Sequence, residues 1–307
     1  MGYSVSVIKQ VVIMFLITCV GVLSYKRDIL SKEAGKKLSG FVLGVVSPCF
    51  IFMSYQTDYS ADMLKGLAIS FGLSIATHLL FIFGSNMLIR INKCPEYIIE
   101  RFSIIYTNCG FMGIPLIEGV FGPDGVLYAT AYLTVFNIFV WSHGIITMRN
   151  SFTKDSIFSV LKSPAIIAIA LGLLCYLTEI RVPELIARPL NYIGSMNTPL
   201  AMVTAGLTIA QTKLIDVIKN KRIILITFLR LFVFPAAVIV ILSLLPIPDE
   251  VFMPVMLTAC CPTAAIGTLF AVQYDKNAVY ASQLFSISTI LSAVSMPLMI
   301  LLMEVIR

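Results

Sequence analysis

Apolar runs of about 20 residues recur along the whole chain, separated by short connections that collect the Lys, Arg, Asp and Pro residues. Runs of that length match a hydrocarbon core of ~30 Å at the rise of an α-helix. They divide the chain into ten candidate spans at approximately 5–24, 38–56, 64–89, 102–121, 125–147, 163–180, 190–212, 222–245, 250–274 and 278–305. The run Val5 to Leu23 has Lys9 as its only basic residue and no small-residue cleavage pattern after it, so it reads as a span and not as a removed signal. The stretch "NYIGSMNTPLAMVTAGLTIAQT" is rich in small polar residues and predicts a helix packed against protein.

Composition agrees with the pattern. Of 307 residues, 58% are hydrophobic and 12% charged, and the mean hydropathy is +0.94, values of a polytopic membrane protein with no polar stretch long enough for a soluble domain. The seven cysteines follow no paired or metal-like spacing, so neither a disulfide framework nor a metal site is expected, and no cofactor. Sixteen basic residues fall in one set of alternate connections and five in the other, with Arg230 left inside a span. That asymmetry predicts both termini outside the cytoplasm, and the expected location is as an integral protein of a bacterial plasma (inner) membrane. The asymmetry also accounts for the formal charge of +6 by topology, with no nucleic-acid partner.

Breaks in the apolar pattern carry the chemistry. The stretch Asn108–Gly122, "NCGFMGIPLIEGVFG", puts glycines, Pro115, Asn108 and Glu118 inside the fourth span, and "VFMPVMLTACCPTAAIGTLFAVQYD" puts Pro262 among small and polar residues in the ninth. Proline removes a backbone donor and glycine lowers the cost of leaving the helix, so each span is expected to break near its proline. Free backbone groups at that depth are tolerated only inside protein or beside a wet cavity, so both breaks are expected to face one internal site. Pro48 and Pro199 recur at matching places of the second and seventh spans, and similar passages follow the two breaks. Because five spans is an odd number, the second set of five would be inverted relative to the first. Interrupted helices at matching positions of inverted halves point to a carrier's binding site.

The passages "GVLSYKRDILSKEAGKKLSGFVLGVVSPCFIF", "TNCGFMGIPLIEGVFGPDGVLYATAYLTVFNIFVWSHG" and "STILSAVSMPLMILL", in this order across nearly the whole chain, resemble the auxin efflux carrier family, which includes plant PIN-type carriers and bacterial malate or malonate permeases. The resemblance implies an all-α protein of ten helices in two inverted five-helix repeats, residues 1–147 and 163–307, joined by a cytoplasmic connector at 148–162. It further implies broken fourth and ninth helices crossing at prolines, a scaffold and a transport domain as in the bile-acid sodium symporter-like fold, and a homodimer. The chain lacks the long cytoplasmic loop of many plant members, and its fourth-span motif opens on Asn-Cys-Gly.

The expected function is a secondary transporter of a small organic anion, a carboxylate such as malate, malonate or an auxin-like acid, by elevator or rocking alternating access. A sodium-coupled bile-acid or organic-anion symporter of the same fold is the alternative, with an intramembrane enzyme or a receptor behind it. The enzyme reading has no HExxH, nucleophile elbow or Asp-rich motif in its favour. Helix N-termini meeting at the breaks suit a carboxylate. The substrate-binding set is Asn108, Cys109, Gly110, Gly113, Pro115, Cys261, Pro262 and Thr263, with Asn137 on the following helix. Asn108 leads it, and its competing role is an interhelical hydrogen bond. Glu118 and His143 are the candidates for coupling to H+, while Na+ would need a cage of oxygens. Arg230 reads as a snorkelling or packing residue that does not pair with Glu118, and His78 as a packing residue.

Overall fold

The computed structural model describes residues 3–58, 60–89, 95–149, 164–212 and 214–307. Every regular element among them is helical. The chain runs through α1 (Tyr3–Lys26), α2 (Lys32–Ser54), α3 (Ala61–Leu88) and the short α4 (Tyr97–Ile105). Then come α5 and α6 at 109–121 and 123–148, which meet at a sharp break. The second half follows as α7 (Pro164–Leu177), α8 (Glu184–Ser195), α9 (Asn197–Ala210), α10 (Leu214–Lys219), α11 (Lys221–Ser243), α12 (Asp249–Ala259), α13 (Ile266–Gln273) and α14 (Ala278–Ile306). Six helical stretches, α1, α2, α3, α5 with α6, α11 and α14, are long and apolar enough to cross a membrane. The described residues thus form an all-helical architecture consistent with a polytopic membrane protein. The expected connector lies, from residue 150 onward, outside the described residues, as does Cys94.

Helix ends sit where side chains satisfy their free amides. Ser31, Ser60, Asn220 and Asn277 accept the first N–H groups of α2, α3, α11 and α14. The α5–α6 break falls at Gly122, whose φ of 67° and ψ of −163° belong to a region open only to glycine, and Pro123 restarts the helix. Prolines 48, 115 and 235 each stand just after a π-helical turn, at Val42–Val46, Cys109–Gly113 and Leu229–Val233. The wider turn accommodates the proline ring and its missing N–H without ending the helix.

This corrects the expected position of the first break. Pro115 lies in the first turn of regular α-helix, where its absent N–H costs nothing, and the chain leaves helical geometry upstream, at Tyr106–Asn108. The spans expected at 102–121 and 250–274 are each divided in two, and the one expected at 190–212 begins at Glu184 and is interrupted at Met196.

Burial orders the helices. The apolar window of α5 and α6 is 72% buried, against 28% for α1 and 22% for α2, so α5–α6 form the centre and α1 and α2 turn residues such as Val12, Leu16 and Val45 outward. The α1–α9 contact depends on small residues. A Cβ at Gly21 would lie 2.2 Å from the Val203 carbonyl oxygen, and one at Gly206 would lie 2.1 Å from that of Thr18. A second tie joins α4, α11 and α14. Arg222 donates two hydrogen bonds, of 2.7 and 2.6 Å, to the fully buried Glu100 carboxylate, which also accepts from the Tyr280 hydroxyl at 3.0 Å.

Gly206→Leu is expected to cost at least about 3 kcal/mol by overpacking, seen as loss of folded protein in size-exclusion chromatography. Gly72→Ala, where an added Cβ meets open space, should keep wild-type yield. Arg222→Ala, which leaves the Glu100 carboxylate buried, should cost ~3–5 kcal/mol and more than Glu100→Gln, whose released arginine is already 35% exposed; melting temperatures of the two variants check the order.

Candidate functional site

The two interrupted stretches meet at the centre of the molecule. Between α4 and α5 the chain is extended at Tyr106, and between α12 and α13 it is irregular from Cys261 to Ala264. Thr107 and Thr263 form an antiparallel bridge: the Asn108 N–H donates to the Pro262 carbonyl at 2.7 Å, and the Ala264 N–H donates to that of Tyr106 at 2.9 Å. The Thr263 N–H donates to Ser288 Oγ of α14 at 3.2 Å, and its hydroxyl donates to the Ser103 carbonyl at 3.2 Å. Each unwound stretch therefore supplies the partners that water would supply elsewhere.

The carbonyl ends of α4 and α12 are held by Arg230, which the π turn of α11 carries into the centre. Its Nε donates to the Cys261 carbonyl at 3.2 Å, Nη1 to that of Ile104 at 3.0 Å, and Nη2 to those of Ala259, at 2.7 Å, and Cys261, at 2.5 Å. The residue is fully buried, with its guanidinium carbon 5.1 Å from the centre of the Phe81 ring. The snorkelling role read from its position is thus corrected. A snorkelling arginine keeps its head in water, whereas this one is surrounded by main-chain carbonyls. It makes no ion pair with Glu118.

Around the amino ends of α5 and α13 the sequence-predicted residues divide. Asn108 is 4% exposed and its carbonyl receives the Met112 and Gly113 amides, while its side-chain Nδ2 has no hydrogen-bond partner. Cys109, Cys261, Pro262 and Thr263 are buried beside it. Gly113 sits in a close contact, since a Cβ there would lie 3.2 Å from both Cys261 Sγ and Thr258 Cγ2 and would press these side chains back by a few tenths of an ångström. Gly110 is partly exposed, as are Ala265 and Ile266 at the start of α13, while the residues of the two breaks themselves are buried. Asn137 on α6 uses Nδ2 on the Leu133 carbonyl at 2.8 Å, an intrahelical bond.

The two candidates for coupling lie apart from each other. Glu118 is exposed on α5, away from the buried breaks, beside Gly119, against which Gln10 of α1 packs. His143, half-buried in the π turn Val140–Gly144, reaches the breaks through Tyr106. The Tyr106 hydroxyl donates to the Phe139 carbonyl at 3.0 Å and so accepts from His143 Nδ1 at 2.8 Å.

Sequence reasoning missed two neighbours, Thr107 and Tyr132, and read the third, His78, as the packing residue it is. The Thr107 and Tyr132 hydroxyls lie close to one another but neither makes a hydrogen bond of normal geometry. His78 donates from Nδ1 to the Ser74 carbonyl at 2.8 Å, and its ring lies 4.8 Å from that of Tyr132, with Nε2 unpaired. A threonine and a tyrosine among apolar residues give no periodic signal. Arg230 gave one, as a charge deep in an apolar run, but its partners are carbonyls, which no sequence marks. Among the described residues no cluster could hold a metal ion, and the six described cysteines are free thiols.

A profile of the membrane transport protein family matches residues 6–300. The chain is 26% identical to an uncharacterized transporter of Methanothermobacter thermautotrophicus, with 97% of each chain covered. It is 23% identical to the uncharacterized transporter MJ1031 of Methanocaldococcus jannaschii, over 91% of this chain and 93% of that one. It is 21% identical to the uncharacterized transporter YfdV of Escherichia coli, over 93% and 94%. With the family profile spanning almost its whole length, the chain belongs to the auxin efflux carrier family of membrane transport proteins.

Proposed function

We propose that the protein is a secondary carrier for a small organic anion, a carboxylate of modest size, bound where the two interrupted helices cross and moved by alternating access. The observation that carries this reading is the buried Asn108 side chain with an unpartnered Nδ2, at the amino end of α5 and next to the partly open Gly110. A free amide donor, a bare glycine backbone and the N-terminal ends of two helices favour negative charge, and one carboxylate would satisfy them together. Arg230 adds a positive charge on the far side of the same crossing.

The wider architecture fits this reading as ten crossing segments: α1, α2, α3, α4 with α5, α6, α7, α8 with α9, α11, α12 with α13, and α14. Taken as two inverted sets of five, they put the two segments joined by the Thr107–Thr263 bridge fourth and ninth. Contacts of α1 with α9 and of α2 with α7 and α8 suit a scaffold, against which α3 to α6 and α11 to α14 would move as the transport unit. A homodimer through the scaffold, and termini on the outer face of a bacterial inner membrane, complete the proposal.

Thermal stabilisation of the purified protein by malate, malonate, lactate, citrate or indole-3-acetate tests it directly. One carboxylate is expected to raise the melting temperature, and Asn108→Ala should weaken that binding about 10–100-fold, the worth of a hydrogen bond to a charged group. Pro115→Ala, in the first helical turn and outside the break, should leave the affinity within about threefold. An unchanged affinity in Asn108→Ala, or a loss in Pro115→Ala as large as in Asn108→Ala, would place the substrate elsewhere.

A further inference from the structure

The carbonyl side of the paired breaks is built like a cation site and already holds a cation. The last carbonyls of a helix have no intrahelical partner and carry its partial negative charge. Two such ends converge here, from α4 and α12, and carriers with broken helices use converging carbonyl ends to hold a coupling Na+. Three carbonyl oxygens, of Ile104, Ala259 and Cys261, are occupied by one guanidinium. That guanidinium is fully buried, and none of the described ion pairs includes it. A buried charge without a counter-ion is costly unless dipoles compensate it, so the carbonyl ends and the arginine are complementary halves of one arrangement. Four of its N–H groups point at main-chain oxygens, so it is not arranged to bind a substrate carboxylate.

We infer that Arg230 is a tethered cation that permanently fills the place a dissociable coupling ion would need at the carbonyl ends of α4 and α12, and that removing it creates a site for a free monovalent cation. Sodium needs several oxygen ligands, and the oxygens converging here are turned to a positive charge that would repel it. Arginine does not lose its proton in a protein, so the tether cannot be switched off by pH. The inference deepens the carrier reading by removing sodium at this position from its coupling options.

The test is melting temperature in chloride salts of sodium, lithium, potassium and choline at constant ionic strength, for the wild type and for Arg230→Ala and Arg230→Lys. The wild type should melt at the same temperature in sodium and choline, within about 1 °C. Arg230→Ala should melt lower in choline and recover by roughly 5 °C or more in saturable fashion with sodium, potassium or millimolar methylguanidinium. Arg230→Lys, which keeps a tethered charge, should fold and show no cation response. A saturable sodium-specific stabilisation of the wild type overturns the inference, as does an alanine variant that melts low and responds to no cation. If the alanine variant cannot be purified, a lysine variant that shows saturable stabilisation by sodium overturns it, and one that is insensitive supports it. No step reads transport or an anion, so an outcome here is separate from success or failure of the carboxylate experiment.

Discussion

Main-chain groups released from a helix inside an apolar bundle must find partners in the protein, and this constraint organises the centre of the molecule. An unpaired buried donor or acceptor costs about 1–3 kcal/mol, and two interrupted helices release many at once. The chain meets the demand in two ways. Thr107 and Thr263 pair their backbones, and Arg230 takes the carbonyls left at the ends of α4 and α12. Without either device the breaks would close into continuous helix or draw in water.

Much of the packing follows from holding those breaks in place. Ser288 and Ser103 fix Thr263 from α14 and α4, and Gly113 lets α5 approach Cys261 and Thr258 with no intervening side chain. The π turn of α11 that delivers Arg230 is followed by Pro235, so the same local feature that absorbs a proline also aims the cation. The bidentate Glu100–Arg222 pair anchors α4 to α11, the two helices that Arg230 also connects through Ile104.

The polarity of the centre is uneven, and that gives it a direction. Carbonyl ends and guanidinium lie together and satisfy each other. On the side of the amino ends, the Asn108 amide is unpartnered and Gly110 partly open. A neutralised side behind a side with an unpartnered donor is the polarity that the proposed anion site would need. The unpaired Thr107 and Tyr132 hydroxyls and His78 Nε2 extend the polar region behind it toward α3 and α6.

Sequence alone determined that the chain is helical and membrane-embedded, and it determined the family, because apolar run length and the order of three long passages depend on local composition. Most helix ends fell within a few residues of the expected spans for the same reason. Tertiary structure decided where the helices are interrupted. Proline marked the neighbourhood of both breaks, yet Pro115 is absorbed by a π turn while Tyr106–Asn108 opens, since an extended backbone is stable only where a partner strand, here at Thr263, supplies its hydrogen bonds. The same holds for Arg230. Its depth was legible as a charge in an apolar run, but its role was not, because the carbonyls of Ile104, Ala259 and Cys261 belong to the backbone and become a cation site only when two helix ends are folded together.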